Sequence, residues 1–122
     1  MRGRRYRLTV LADEDIASIL AHTRREFGDR QLRTYAALID KAAEMVGRAP
    51  LRVNSKSRED LGIGVRSFHV EIAARRRGAA AHVIYYVPAI LEDGLPGSTI
   101  LRVLWEGMDP WSLIAASVEE PS

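Results

Sequence analysis

Apolar and polar side chains alternate at the start of the chain. Tyr6, Leu8 and Val10 fall on one side and Arg7 and Thr9 on the other, which predicts a strand over 6–11. Asp13, Glu14 and Asp15 follow and suit a helix start, where carboxylates complement the free N–H groups and the positive dipole end. Ile16, Ile19, Leu20, Thr23 and Phe27 then recur at spacings of three and four and share one helical face, and Gly28 ends that helix. With Asp29 as its cap, a second helix carries Leu32, Tyr35, Ala36, Ile39, Ala42, Ala43 and Val46 on one face until Gly47 and Pro50 stop it. So short a connection predicts an antiparallel helix hairpin.

The pattern then changes period. Residues 51–64 are polar and aperiodic and read as a surface connection, with Gly62 and Gly64 allowing turns. Arg66, Phe68, Val70 and Ile72 alternate with Ser67, His69 and Glu71 as a strand, and Arg75, Arg76, Arg77 and Gly78 make a charged turn. A second strand covers His82 to Val87, and Pro88 to Ser98 reads as a long hairpin loop. Ile100 to Trp105 is apolar on both faces except for Arg102, which predicts a central position in the sheet. Asp109 followed by Pro110 starts a short closing helix carrying Leu113, Ile114 and Val118, with residues 119–122 fraying. The expected architecture is α+β: an N-terminal strand, a two-helix hairpin, three antiparallel strands and a short C-terminal helix, the hairpin packed on an antiparallel sheet.

Composition narrows the function classes. The 122 residues fit one domain spanning 1–122, and 47% hydrophobic with 28% charged residues suits a packed core. Without cysteine there are no disulfides or thiolate metal sites. No stretch approaches the roughly 18 apolar residues of a membrane span, and Tyr6 to Leu11 is too short for a signal peptide, so a soluble, cytosolic protein is expected. The net charge is +2, and sixteen of the eighteen basic residues are arginine, a side chain that forks to carboxylates and phosphates. GC-rich coding would produce the same bias. The arginines of interest are Arg2, Arg4, Arg5 and Arg7, the run Arg75, Arg76 and Arg77, and the isolated Arg66 and Arg102.

Two kinds of chemistry can be assembled from these residues. Arg66, His69, His82, Tyr85, Tyr86 and Arg102 lie on strands and could converge as a nuclease site, with His69 as base and Arg66 as phosphate clamp. The plainer reading makes His69 a solvated or hydrogen-bonded histidine. It gives His22 no role, and it turns Tyr85 and Tyr86 to opposite sides, one into the core and one to a surface. No ligand-like spacing pairs the three histidines, so neither a metal nor a cofactor is expected. Arg66 and Arg102 either pair with internal acids such as Glu71 or Glu106 or anchor an acidic partner on an open sheet face. Arg75, Arg76 and Arg77 form a solvated hairpin tip or touch an acidic partner; with only alanines beside them, specific DNA binding is not expected. Trp105 and Trp111 either pin the C-terminus to the core or, in the case of Trp111 with Leu113 and Ile114, form an exposed hot spot.

Several stretches together resemble the ParE/RelE toxins of type II toxin–antitoxin systems. Tyr6-Arg7-Leu8-Thr9-Val10-Leu11-Ala12-Asp13-Glu14-Asp15-Ile16 is similar to that superfamily's opening strand and acidic helix start, and Phe27-Gly28-Asp29-Arg30-Gln31 to its interhelical turn. Gly64 to Val70, His82 to Tyr86, and Ile100 to Leu104 followed by Met108-Asp109 resemble its three-strand half. The resemblance implies an antitoxin partner. RelE-like members cut mRNA on the ribosome and carry Arg, Lys, Tyr or His near the end of the last strand. Here no Arg, Lys, His or Tyr follows Arg102, and the Met108-Asp109 ending is similar to ParE-like toxins, which poison DNA gyrase by binding. The expected protein is a ParE-like, non-catalytic toxin that contacts partners through Arg66, Arg75, Arg76, Arg77, Arg102, Met108, Asp109 and Trp111. The alternative is a ribosome-dependent endoribonuclease using Arg66, His69, Tyr86 and Arg102.

Overall fold

Thr9 decides where the chain leaves the sheet. Its hydroxyl accepts the Ala12 N–H at 3.0 Å and donates to the Leu101 carbonyl at 2.8 Å, so it caps a helix and ties that helix to the last strand. In the computed structural model, which describes residues 3–118, β1 is therefore only Tyr6–Leu8, and α1 runs Val10–Phe27. The helix begins ahead of the acidic run that sequence suggested as its start, and Val10 is exposed rather than on the strand's inner face. Gly28, at φ 90°, ends α1 through an N–H bond to the Arg24 carbonyl and begins α2, Asp29–Arg48. Asp29 makes no cap; it pairs with Arg24 across the turn.

The remaining elements are β2 (Lys56–Ser57), β3 (Arg66–His69), the single turn α3 (Glu71–Ala74), β4 (His82–Ile90), β5 (Pro96–Trp105) and α4 (Trp111–Val118). The sheet order is β1-β5-β4-β3-β2. As expected, β5 is central, and β3, β4 and β5 are antiparallel. β1, however, pairs in parallel with the start of β5, so the sheet is mixed. The strand assigned to Arg66–Ile72 stops at His69: the Val70 N–H bonds to the His82 carbonyl and the chain coils, with Arg75 in the left-handed region at φ 56°. The β4–β5 hairpin is also longer than its prolines suggested, because Pro88 pairs with Ser98 and Pro96 with Ile90, and only residues 91–95 form the loop. Pro88 sits where β3 no longer flanks β4, the edge position where a missing N–H costs no ladder bond.

Each sheet face has its own core. Ile39, Ala42, Ala43 and Val46 of α2 and Ala12 of α1 pack with Phe68, Ile84, Tyr86, Ile100 and Val103. On the other face Tyr85, Leu101 and Leu104 are covered by Leu61, Val65 and Ile114. Tyr85 and Tyr86 thus do face opposite sides, but both are buried, and the face expected to be open is closed by residues 58–65 and α4. Ile114 does the closing. Arg2, the fraying tail 119–122 and the side chain of Val118 lie outside the described residues. Among those described, no helix is long and apolar enough to cross a membrane.

Gly47 lies where α2 meets the entry to β1. A Cβ there would overlap the Arg5 carbonyl, a backbone atom that cannot swing aside. Gly47→Ala should therefore destabilise the fold by about 1–3 kcal/mol, although in an open helix the same change stabilises by about 1 kcal/mol. Chemical denaturation checks this, and a more stable variant would show that the helix shifts freely over β1.

Candidate functional site

The four residues of the nuclease alternative are each committed elsewhere. Arg66 donates from Nε and Nη2 to Ser55 Oγ at 3.0 and 2.8 Å, and is not the partner of Glu71 or Glu106. The buried Tyr86 hydroxyl donates to the Pro50 carbonyl at 2.6 Å. His69 Nδ1 accepts the Glu71 N–H at 3.1 Å, so the ring proton of the neutral imidazole sits on Nε2 and is donated to Glu106 Oε2 at 2.6 Å. With both nitrogens engaged, His69 has no lone pair for a substrate proton. Arg102 forks onto Asp15 at 2.7 and 2.8 Å and also donates to the Leu113 carbonyl. These side chains hold separate joints of the fold and do not share a site.

Asp15 has a second duty. Beyond Ile100, β5 loses β1 as its neighbour, and the Val103 N–H that would meet a strand donates to Asp15 Oδ2 at 3.1 Å. The adjacent Thr9 N–H occupies the Ile100 carbonyl. Helix α1 thus seals half of this sheet edge through one carboxylate and one threonine. Both members of the Asp15–Arg102 pair are largely buried.

A groove of about 870 Å³ opens between α1 and the end of β5. Ile19 and His22 of α1, Tyr35 of α2, the backbone of residues 78–82, and Trp105 and Met108 line it. The Tyr35 hydroxyl accepts the Ala81 N–H at 3.2 Å and donates to His82 Nδ1 at 2.7 Å, which locks the His82 ring. Burial pushes the His82 imidazole below its ordinary value; Glu106 acts the other way, and His69 and His22 reinforce burial. Trp105 and Trp111 remain 54% and 55% exposed, so neither pins the tail. Gly107 shapes the Trp105 wall, because a Cβ at 107 would overlap the indole. Sequence reasoning missed the groove. Its one sequence trace is that Tyr35 and Trp105, both read as core positions, have polar neighbours.

The other expected partner residues divide. Arg75, Arg76 and Arg77 are exposed, and the Glu71 carboxylate holds their turn by accepting the Gly78 N–H at 2.8 Å. Asp109 accepts the Trp111 N–H at 3.1 Å, the capping role expected of it, beside the exposed Met108 and Trp111. The N-terminal arginines do not form a basic patch: Arg5 is buried against Asp93 and the Pro96 carbonyl, Arg7 donates to Thr99, and Arg4 lies over the Tyr6 ring.

A family model described as ParE toxin of type II toxin-antitoxin system, parDE, matches residues 6–110. No curated protein matches this chain.

Asp15→Ala leaves the Arg102 guanidinium and the Val103 N–H without their acceptor, a class of change that costs about 3–5 kcal/mol; urea denaturation reads it, and a loss under 1 kcal/mol would show that water replaces the carboxylate. His82 is held neutral in the fold below its ordinary value of 6.5, so the unfolded chain binds the proton more readily. Its contribution to stability is complete above that ordinary value and is lost as pH falls from there through the lower folded value. His82→Gln should flatten the loss of thermal stability over this acidic window, and an unchanged slope would remove His82 as its source.

Proposed function

The chain belongs to the ParE toxin family of type II toxin–antitoxin systems, and from that premise we propose that it poisons DNA gyrase by occupying a surface and is neutralised by an antitoxin encoded beside it. The observation that carries the reading is the commitment of the candidate acid–base and phosphate-binding groups. Arg66, His69, Tyr86 and Arg102 are bound to Ser55, Glu106, Pro50 and Asp15, and nothing basic follows Arg102 in the sequence. Cleavage of RNA by its own 2′-hydroxyl needs a base, an acid and cations around the phosphorane. The end of β5 supplies Glu106 and Asp109, whose charges repel a phosphate.

A binding toxin needs exposed anchors instead. Arg75, Arg76, Arg77, Met108 and Trp111 are exposed and available to protein partners, and Asp109 orients the turn between the last two. Arg66 and Arg102, expected as direct contacts, act by holding the Ser55 loop and α1 in place. The whole chain is proposed to work as one domain in the cytoplasm, where gyrase is.

Expression alone should arrest growth, and co-expression of the adjacent gene should restore it. The purified protein should inhibit supercoiling of relaxed plasmid by gyrase and leave ribosome-bound mRNA intact. Cleaved mRNA with undiminished supercoiling would replace this reading with the endoribonuclease one.

A further inference from the structure

Charge at the α1–β5 groove is unbalanced. The nearby carboxylates are spent internally: Asp15 on Arg102 and the Val103 N–H, Glu106 on His69, and Glu71 on the Gly78 N–H. Arg25, on the groove wall, and Arg75, Arg76 and Arg77, which lead into the wall residue Gly78, have no ion-pair partner among the described residues. The rim is therefore cationic in effect, although the chain as a whole is close to neutral.

The walls are apolar and partly uncovered. Ile19, Val103 and Leu104 lie inward, while Phe27, Trp105 and Met108 remain 68%, 54% and 43% exposed. Three such side chains gathered at one groove mark an interaction surface more than chance exposure does. The Trp105 ring lies across Gly107 and cannot settle further inward there, so its position is set before anything binds.

We propose that this groove receives an acidic amphipathic segment of the antitoxin. Its large apolar side chains enter between Ile19, Trp105 and Met108, and its carboxylates meet Arg25 and the Arg75–Arg77 turn. This rests on the toxin–antitoxin reading above. The apolar walls disfavour a nucleic acid, which would satisfy the arginines but leave these walls without a matching surface.

The test measures affinity and association rate between this chain and the purified protein encoded beside it. Trp105→Ala should weaken binding about 30-fold or more, the loss typical of a central tryptophan anchor. Gly107→Ala, which displaces the ring without removing it, should weaken it in the same direction. Arg76→Glu with Arg77→Glu should slow association at low salt, and the difference should shrink as salt rises. Val53→Ala, on an exposed side chain outside the groove, should change nothing. Circular dichroism keeps misfolded variants out of the comparison, and Gly107→Ala with the arginine pair carries the test if Trp105→Ala misfolds. Wild-type affinity in the folded groove variants overturns the groove assignment and leaves the family reading intact. So does loss of gyrase inhibition with antitoxin binding unchanged, or displacement of the antitoxin by a single-stranded oligonucleotide. A wild-type chain that does not bind the adjacent product, in an assay where both are folded, overturns the antitoxin reading itself.

Discussion

Strand β5 has a neighbour along the whole of one edge and along only the first half of the other, and the Asp15 carboxylate stands where the missing strand would be. Accepting both the Arg102 guanidinium and the Val103 N–H, it converts an exposed edge into a helix–strand joint. The consequences spread outward. Helix α1 must cross close to β5, which fixes the hairpin above the sheet. Arg102 reaches on to the Leu113 carbonyl, so the same ion pair steadies α4 on the opposite face. The groove exists because α1 touches β5 at Asp15 and diverges from it toward Phe27.

The sheet is closed on both faces, and this shapes what the molecule can do. A helix hairpin on one side and residues 58–65 with α4 on the other leave no open platform on which cationic strand residues could gather around a phosphate. Polar side chains that interrupt apolar strands are used as joints. Arg66 fastens the loop at Ser55, and His69 fastens the turn after β5 through Glu106. Buried or half-buried polar groups of this kind cost free energy unless paired, which is why each has a specific partner. What remains for recognition lies on the periphery: the arginine turn, the C-terminal turn with Met108 and Trp111, and the groove.

A toxin that works by occupation rather than reaction gains from such a design. Exposed aromatic and sulfur-bearing side chains on a rigid base bind at low entropic cost, whereas flexible anchors must be ordered first. Tyr35 and His82 stiffen the groove floor, and Gly107 lets the Trp105 indole lie across the backbone. The same lock makes the floor sensitive to acid, since a protonated His82 can no longer accept from the Tyr35 hydroxyl.

Local pattern determined much of this protein. The three-and-four spacing from Leu32 to Val46 specified α2, Gly28 the break between helices, the apolar run 100–105 the central strand, and Asp109 the start of the closing helix. The ordered stretches were also enough to identify the toxin family. Tertiary structure alone decided the cap at Thr9, the parallel pairing of β1, the closure of the second face, and the fate of every candidate catalytic side chain. The reason is separation along the chain. Asp15 and Arg102 are 87 residues apart, Tyr35 and His82 47, and His69 and Glu106 37. Periodicity reports which side of its own element a residue occupies. Whether an arginine there meets a carboxylate, a serine or open water depends on a distant segment that the pattern does not place.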